Sequence, residues 1–131
     1  MMKFSISSEY ALLSLIHLAR DAGEGSASLE GIALAQHLPV EPLAETLPAL
    51  VRGKYLRESR GEYRLAKPAE KISVLEIIRL FDGALAPLEP AGRTAFQPTL
   101  MEREGKLVEL VDQVHDLVIE RLEQTTLADL R

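Results

Sequence analysis

"YLRESRGEYRLAK", residues 55–67, decides how the chain is read. It sets three arginines and a lysine beside two tyrosines, with Arg60-Gly61 between two short runs of extended character. A glycine-containing turn between such runs predicts a β-hairpin. Leu56 in the first run and Tyr63 and Leu65 in the second then share one face, because side chains alternate across a strand. Arg57, Arg60, Arg64 and Lys67 are left to point to solvent or across the tip. Pro68 ends the pairing, since it has no amide hydrogen to donate. The whole chain nevertheless carries a net charge of −5, so this concentration of cations needs a reason.

Upstream, the pattern predicts three short helices. Residues 8–20 place Leu12, Leu13, Leu15, Ile16 and Ala19 at helical spacing behind Ser7 or Ser8 as N-cap. "GEGS" (23–26) stops this helix, and Ser28 caps a second, "LEGIALAQHL" (29–38). "PVEP" (39–42) is a tight connection, and Pro42 suits the first turn of a third helix that closes at Gly53. Downstream, Ser73 and Glu76 form a capping box that opens "VLEIIRLFD", stopped by Gly83. The connector "ALAPLEPAGRTAFQP" (84–98) holds three prolines. A second box, Thr99 to Glu102, opens a last helix over about residues 100–125. Its Leu107, Leu110, Val111, Val114, Leu117, Val118 and Leu122 step by three and four, close to a heptad seam, with Arg121 on or beside it. A rod of ~38 Å overreaches a core of this size and is expected to pack against a second copy.

The totals narrow the chemistry. At 131 residues, 47% hydrophobic and 5% aromatic, the chain supports one modest aliphatic core of the kind helices build. No cysteine occurs, which excludes disulfides, thiolate catalysis and cysteine-ligated zinc or iron–sulfur sites. The apolar run "ALLSLIHLA" (11–19) reads as a buried amphipathic helix and not a secretion leader, with Glu9 and His17 bordering or interrupting it. It falls short of the roughly 18–20 apolar residues needed to span a bilayer. The expectation is a soluble, cytoplasmic protein. His17, His37 and His115 are dispersed, so no metal site is expected. No glycine-rich phosphate loop and no Ser–His–Asp arrangement is legible, so neither an enzyme nor a cofactor is expected.

Three helices followed by a hairpin is the order of a winged helix-turn-helix, whose third helix lies in the DNA major groove and whose hairpin is the wing. This explains the charge. Residues 1–67 carry eight Lys/Arg against eight Asp/Glu, and residues 68–131 carry seven against twelve. An acidic protein binds DNA when its cations are gathered where phosphates lie.

The stretches "MKFSISSEYALLSLIHLA", "SLEGIALAQHLPVEPLAETLPALVRGKYLR" and "GEYRLAKPAEKISVLEIIRLFDG" closely resemble the Rrf-type bacterial transcription regulators. The likeness covers roughly residues 2–83 and resumes in the C-terminal helix. It rests most specifically on the Ser7–Leu12 opening, the second wing strand and "KISVLEIIRLFDG". The resemblance implies a homodimeric DNA-binding regulator, often a repressor, joined through the C-terminal helix. It also implies, for many members, an iron–sulfur cluster held by three cysteines in the connector. This chain has none there. Its wing tip, "ESRGE", is shorter than the family's glycine-rich tip, and Pro48 falls inside the third helix, which is expected to kink or tighten near Ala44. Glu41 and Glu45 place negative charge near the groove-facing end, where glutamate accepts from cytosine but repels phosphate.

The fold expected is therefore mainly α with a small β-hairpin: a winged helix-turn-helix (1–83), a connector (84–98) and a dimerisation helix with tail (99–131). Double-stranded DNA is the expected partner, contacted by Arg57, Arg60, Arg64 and Lys67 of the wing, with Arg60 foremost. Lys3, Ser5, Ser7, Ser8 and Tyr10 make a candidate phosphate seat at the first helix. Thr46, Arg52 and Lys54 are the remaining polar positions of or just after the third helix, with Thr46 the expected base reader. Leu107, Leu110, Val111, Val114, Leu117, Val118 and Arg121 are the expected dimer seam. An unidentified effector is expected near residues 84–98. The competing reading is a winged-helix dimer that has lost specific DNA binding and serves as a protein-interaction module.

Overall fold

Ser5, rather than Ser7 or Ser8, opens the first helix. In the computed structural model, which describes residues 4–20, 25–83 and 103–131, the Ser5 side chain accepts from the Ser8 amide, so α1 spans Ile6–Ala19. Ser8 is consequently inside the helix and fully buried. Lys3, the connector expected at 84–98 and the Thr99–Glu102 box lie outside the described residues.

Ser28 caps α2 (Leu29–Gln36) as its spacing predicts, accepting from the Gly31 amide at 3.0 Å. The helix stops two residues earlier than expected. His37 takes a left-handed φ of 56°, and the Leu38 amide turns back to the Ala33 carbonyl at 2.8 Å, which satisfies an otherwise orphaned acceptor. After Pro39, α3 (Val40–Arg52) begins, and Gly53 follows its last residue. The helix is unbroken through Ala44 and Pro48. Ala44 lies on the exposed face, where losing the amide that Pro48 lacks costs least.

The wing pairs β2 (Leu56–Ser59) with β3 (Glu62–Leu65), antiparallel, in the register Leu56↔Leu65, Arg57↔Arg64, Glu58↔Tyr63, Ser59↔Glu62. Arg60 and Gly61 have φ of 54° and 78°. Positive φ at both central residues is what a two-residue turn of matching twist requires. A third strand, unforeseen in the sequence, is β1 (Ala27–Ser28), which pairs with β3 through Ala27↔Tyr63 and Ser28↔Glu62. Two residues are too few to show an alternation.

A 3₁₀ turn (Ala69–Lys71) leads to α4 (Val74–Asp82), whose capping box is complete: Ser73 accepts from the Glu76 amide, and Glu76 accepts from the Ser73 amide. The last long helix, α5, runs Gly105–Gln124. It is shorter than expected at ~30 Å, because residues 103 and 104 are not α-helical.

The chain then returns to its own core. The Val74 amide donates to the Thr125 carbonyl (2.9 Å) and the Leu127 amide to the Ile72 carbonyl (3.0 Å). A final turn, α6 (Leu127–Leu130), buries Leu127 completely, and Arg131 pairs with Glu70 at 3.4 Å. Leu127 thus joins Leu15, Ile32, Leu43, Leu47, Leu50, Leu56, Ile72 and Ile77 in one aliphatic core. The fold is mainly helical with a small antiparallel sheet, and α1 lies at its centre against α2, α3, α4 and α6.

Candidate nucleic-acid interface

The wing is built so that two cations oppose each other. Leu56 and Leu65 are cross-strand partners and both buried, which pins the register by hydrophobic burial. One residue along, alternation sends Arg57 and Arg64 to the opposite, exposed face. Directly paired strand residues have Cβ atoms about 4.5–5.5 Å apart, and like charges so placed destabilise the pairing. Among the described residues, no carboxylate lies within ion-pair distance of Arg57, Arg60 or Arg64. Neutralisation by Glu58 or Glu62 therefore does not account for these arginines. Glu58 instead accepts from the Gly61 amide at 3.3 Å and steadies the turn.

Arg60 occupies the turn in the left-handed region, a conformation that costs a non-glycine residue roughly 1–2 kcal/mol. It holds an exposed cation at the tip. Lys67 behaves differently: its Nζ sits 4.8 Å from the centroid of the Tyr55 ring, a cation–π contact that holds the ammonium beside the base of the wing. Burial raises the Tyr55 pKa first, and the neighbouring Glu76 carboxylate adds to it. Tyr63 is half-buried against the core, and burial followed by Glu58 and Glu30 raises its pKa. Both phenols stay protonated at neutral pH.

The seat expected at the start of α1 already holds an anion. The Ser5 amide donates to both carboxylate oxygens of Asp82 at 3.2 Å, and Ser8 Oγ donates to Oδ2 at 2.6 Å. Burial acts to raise the Asp82 pKa, but the hydrogen bonds from Ser5 and Ser8 outweigh it and leave the carboxyl below its ordinary value. Ser7 remains exposed on the first turn, and Tyr10 is half-buried against the core.

Thr46 also departs from expectation. It is buried, and its hydroxyl donates to the Pro42 carbonyl one turn back at 3.0 Å. It faces the core with Leu43, Leu47 and Leu50 and is not positioned to read a base. The outward face of α3 carries Glu41, Ala44, Glu45 and Arg52. Arg52 and Lys54 are exposed at and just beyond its C-terminal end. Spacing alone could have shown that Thr46 shares the buried stripe, since it lies three residues from Leu43 and four from Leu50.

On α5, Leu107, Leu110, Val111, Val114 and Leu117 are all exposed, Leu117 by 64%. Val118 is half-buried, as are Val108, His115, Ile119 and Leu122. The helix therefore has a flank covered within its own chain and an uncovered apolar stripe beside it, with Arg121 exposed in line with the stripe.

The family model described as Rrf2, iron-dependent transcriptional regulator, matches residues 4–131. The chain belongs to the Rrf2 family. It is 33% identical over 132 residues to the HTH-type transcriptional regulator CymR of Bacillus subtilis, covering 98% of this chain and 89% of that protein. The solved structure of B. subtilis CymR, described as a global cysteine regulator, superposes with a TM-score of 0.80 at 30% identity, covering 99% of this chain and 96% of that one. T. potens IscR superposes at 0.70 with 27% identity, covering 98% and 85%. This Rrf2 chain is thus a winged helix-turn-helix protein of the transcription-regulator class, and these relatives are regulators rather than enzymes. The iron in the family's description finds no thiolate here: the 131 residues hold no cysteine. Among the described residues no three His, Asp or Glu gather as a metal site either, so these residues do not fit the group. No described helix is long and apolar enough to cross a membrane.

Proposed function

We propose that the protein is a homodimeric, sequence-specific DNA-binding regulator that represses transcription without an iron–sulfur cluster. The observation that carries this reading is the wing: Arg57 and Arg64 opposed across the ladder, with Arg60 held in a left-handed turn at the tip. A fold that tolerates both like-charge opposition and a strained cation gains from a polyanion that relieves the first and contacts the second. DNA phosphates meet that need. Family membership supports the DNA partner, and α3 takes the major groove.

The exposed stripe of α5 supports pairing of two copies, with Leu107, Leu110, Val111, Val114, Leu117, Val118 and Arg121 along the seam. Two reading heads then meet half-sites about 34 Å apart. The connector at 84–98 joins the reading head to the seam and is where an effector would act.

The test is binding of a palindromic fragment from the gene's own upstream region across a range of salt concentration. Log affinity falls with log salt at about −0.9 per neutralised phosphate, and Arg57→Ala, Arg60→Ala and Arg64→Ala each flatten that slope. Binding that ignores all three substitutions, or a fragment that is never bound, assigns the protein to the class of interaction modules.

A further inference from the structure

We propose that α3 identifies its half-site through pyrimidines, with Glu41 and Glu45 accepting from cytosine amino groups and Val40 and Ala44 packing on thymine methyls. The inference rests on the DNA-binding reading above and specifies which bases it requires.

The argument begins with what α3 keeps inside. Leu43, Thr46, Leu47 and Leu50 are buried, so the opposite face, centred on the exposed Glu41, Glu45 and Arg52, looks outward. In a helix-turn-helix the N-terminal part of this helix meets base edges. There the exposed side chains are Val40, Glu41, Ala44 and Glu45. The one hydroxyl in that half, on Thr46, is spent on Pro42. No side chain caps the helix start at Pro39 either. The reading surface therefore offers two carboxylates and two apolar groups, and no side-chain donor.

A carboxylate only accepts hydrogen bonds. In the major groove, guanine presents acceptors alone, while adenine sets its N6 donor beside the N7 acceptor, which repels a second oxygen. Cytosine presents the N4 donor without an adjacent acceptor on the same base, and thymine presents its methyl. Acceptors plus methyl-sized apolar groups thus select cytosine and thymine. Glu41 and Glu45 are about 6 Å apart along the helix axis, close to two base steps of 3.4 Å. Among the described residues neither glutamate has an ion-pair partner. Each therefore repels phosphate wherever it is not facing a donor. The same carboxylates that accept from the right base weaken binding everywhere else, which raises discrimination while the wing supplies affinity.

The test is selection of bound duplexes from a randomised library by the full chain, by Glu41→Gln and Glu45→Gln, and by Arg60→Ala as a wing control. The wild-type selection carries cytosine at two positions per half-site, two steps apart, with thymine beside them. Glu45→Gln moves the preference at one of these from cytosine to adenine, because glutamine pairs with adenine N6 and N7, by about tenfold. Replacing the selected thymines by deoxyuridine, which lacks the methyl, weakens wild-type binding severalfold. Identical selected sequences for wild type and both glutamine variants, with enrichment still lost in Arg60→Ala, would overturn the pyrimidine readout and leave the regulator reading standing. Absence of any enriched sequence, with retention on DNA indifferent to Arg60, would overturn both. Since both glutamates are exposed, neither glutamine variant threatens folding.

Discussion

Ser8 Oγ donates a 2.6 Å hydrogen bond to Asp82 Oδ2, fastening the first turn of α1 to the last residue of α4. Asp82 also receives the Ser5 amide, so one carboxylate takes both the N-cap amide and the buried Ser8 hydroxyl at the positive end of the central helix. Its pKa lies below the ordinary 3.8. A depressed folded-state pKa contributes stability that is present above about pH 4 and is lost as the pH falls through the folded value. Asp82→Asn is expected to lower stability at pH 7 by no more than about 1 kcal/mol, because solvent screens this partly exposed carboxylate. The gap between the two proteins should close as the pH is taken from 5 towards 2. Denaturant midpoints measured over that range check it, and a gap that stays constant would show that the charge of Asp82 is not responsible.

Arg60 separates stability from binding. Asparagine tolerates the left-handed region and is favoured before glycine in two-residue hairpin turns. Arg60→Asn should therefore stabilise the fold by up to about 1 kcal/mol, raising the thermal midpoint by a few degrees. The same change removes a tip cation from each of the two wings and should lower DNA affinity while reducing the salt slope of the dimer's complex by about two units, roughly 0.9 for each lost phosphate contact. Calorimetry and a salt titration of the same preparation check both halves. A substitution that weakens the fold and the complex together would show that Arg60 shapes the wing rather than contacting DNA.

The wing and the two clear caps were legible because their signals are local. Ser28 and Ser73 announce helix starts within four residues of sequence, and Arg60-Gly61 announces a turn whose register then follows from Leu56 and Leu65. What the sequence hid is non-local. Asp82 reaches Ser5 and Ser8 across more than seventy positions, and no periodicity marks such a bond. Ser5 outcompeted Ser7 and Ser8 for the cap because Ser8 faces the core. Thr46 lies inside for the opposite reason: its polarity suits an exposed reader, but its position in the apolar stripe buries it, satisfied by its own helix. The strand at Ala27 and the return of Leu127 depend on partners far away in sequence.

Leu127 ties the segment after α5 into the core of the winged unit. It is fully buried four residues from the end of the chain, next to the backbone bonds that tie Thr125 to Val74 and Leu127 to Ile72. Leu127→Ala removes three buried carbons and leaves a cavity, at an expected cost of about 2–5 kcal/mol. Chemical denaturation followed by circular dichroism checks this. A cost below 1 kcal/mol would mean that the tail rests on the core without completing it.

The stripe on α5 calls for a different experiment, because its residues are not buried within the protomer. Val114 and Leu117 are 51% and 64% exposed, so glutamate at both positions keeps its charge in contact with water on the single chain. Within a seam between two copies, the same charges would be desolvated without partners, a cost of several kcal/mol. Val114→Glu with Leu117→Glu should therefore leave helical content unchanged while the particle falls to the mass of one chain in light scattering. DNA affinity should then drop by orders of magnitude, since one reading head replaces two at a high effective concentration. A double variant that keeps the mass of two chains would place the seam elsewhere. One that loses helicity as it dissociates would show that α5 holds its shape only against a partner.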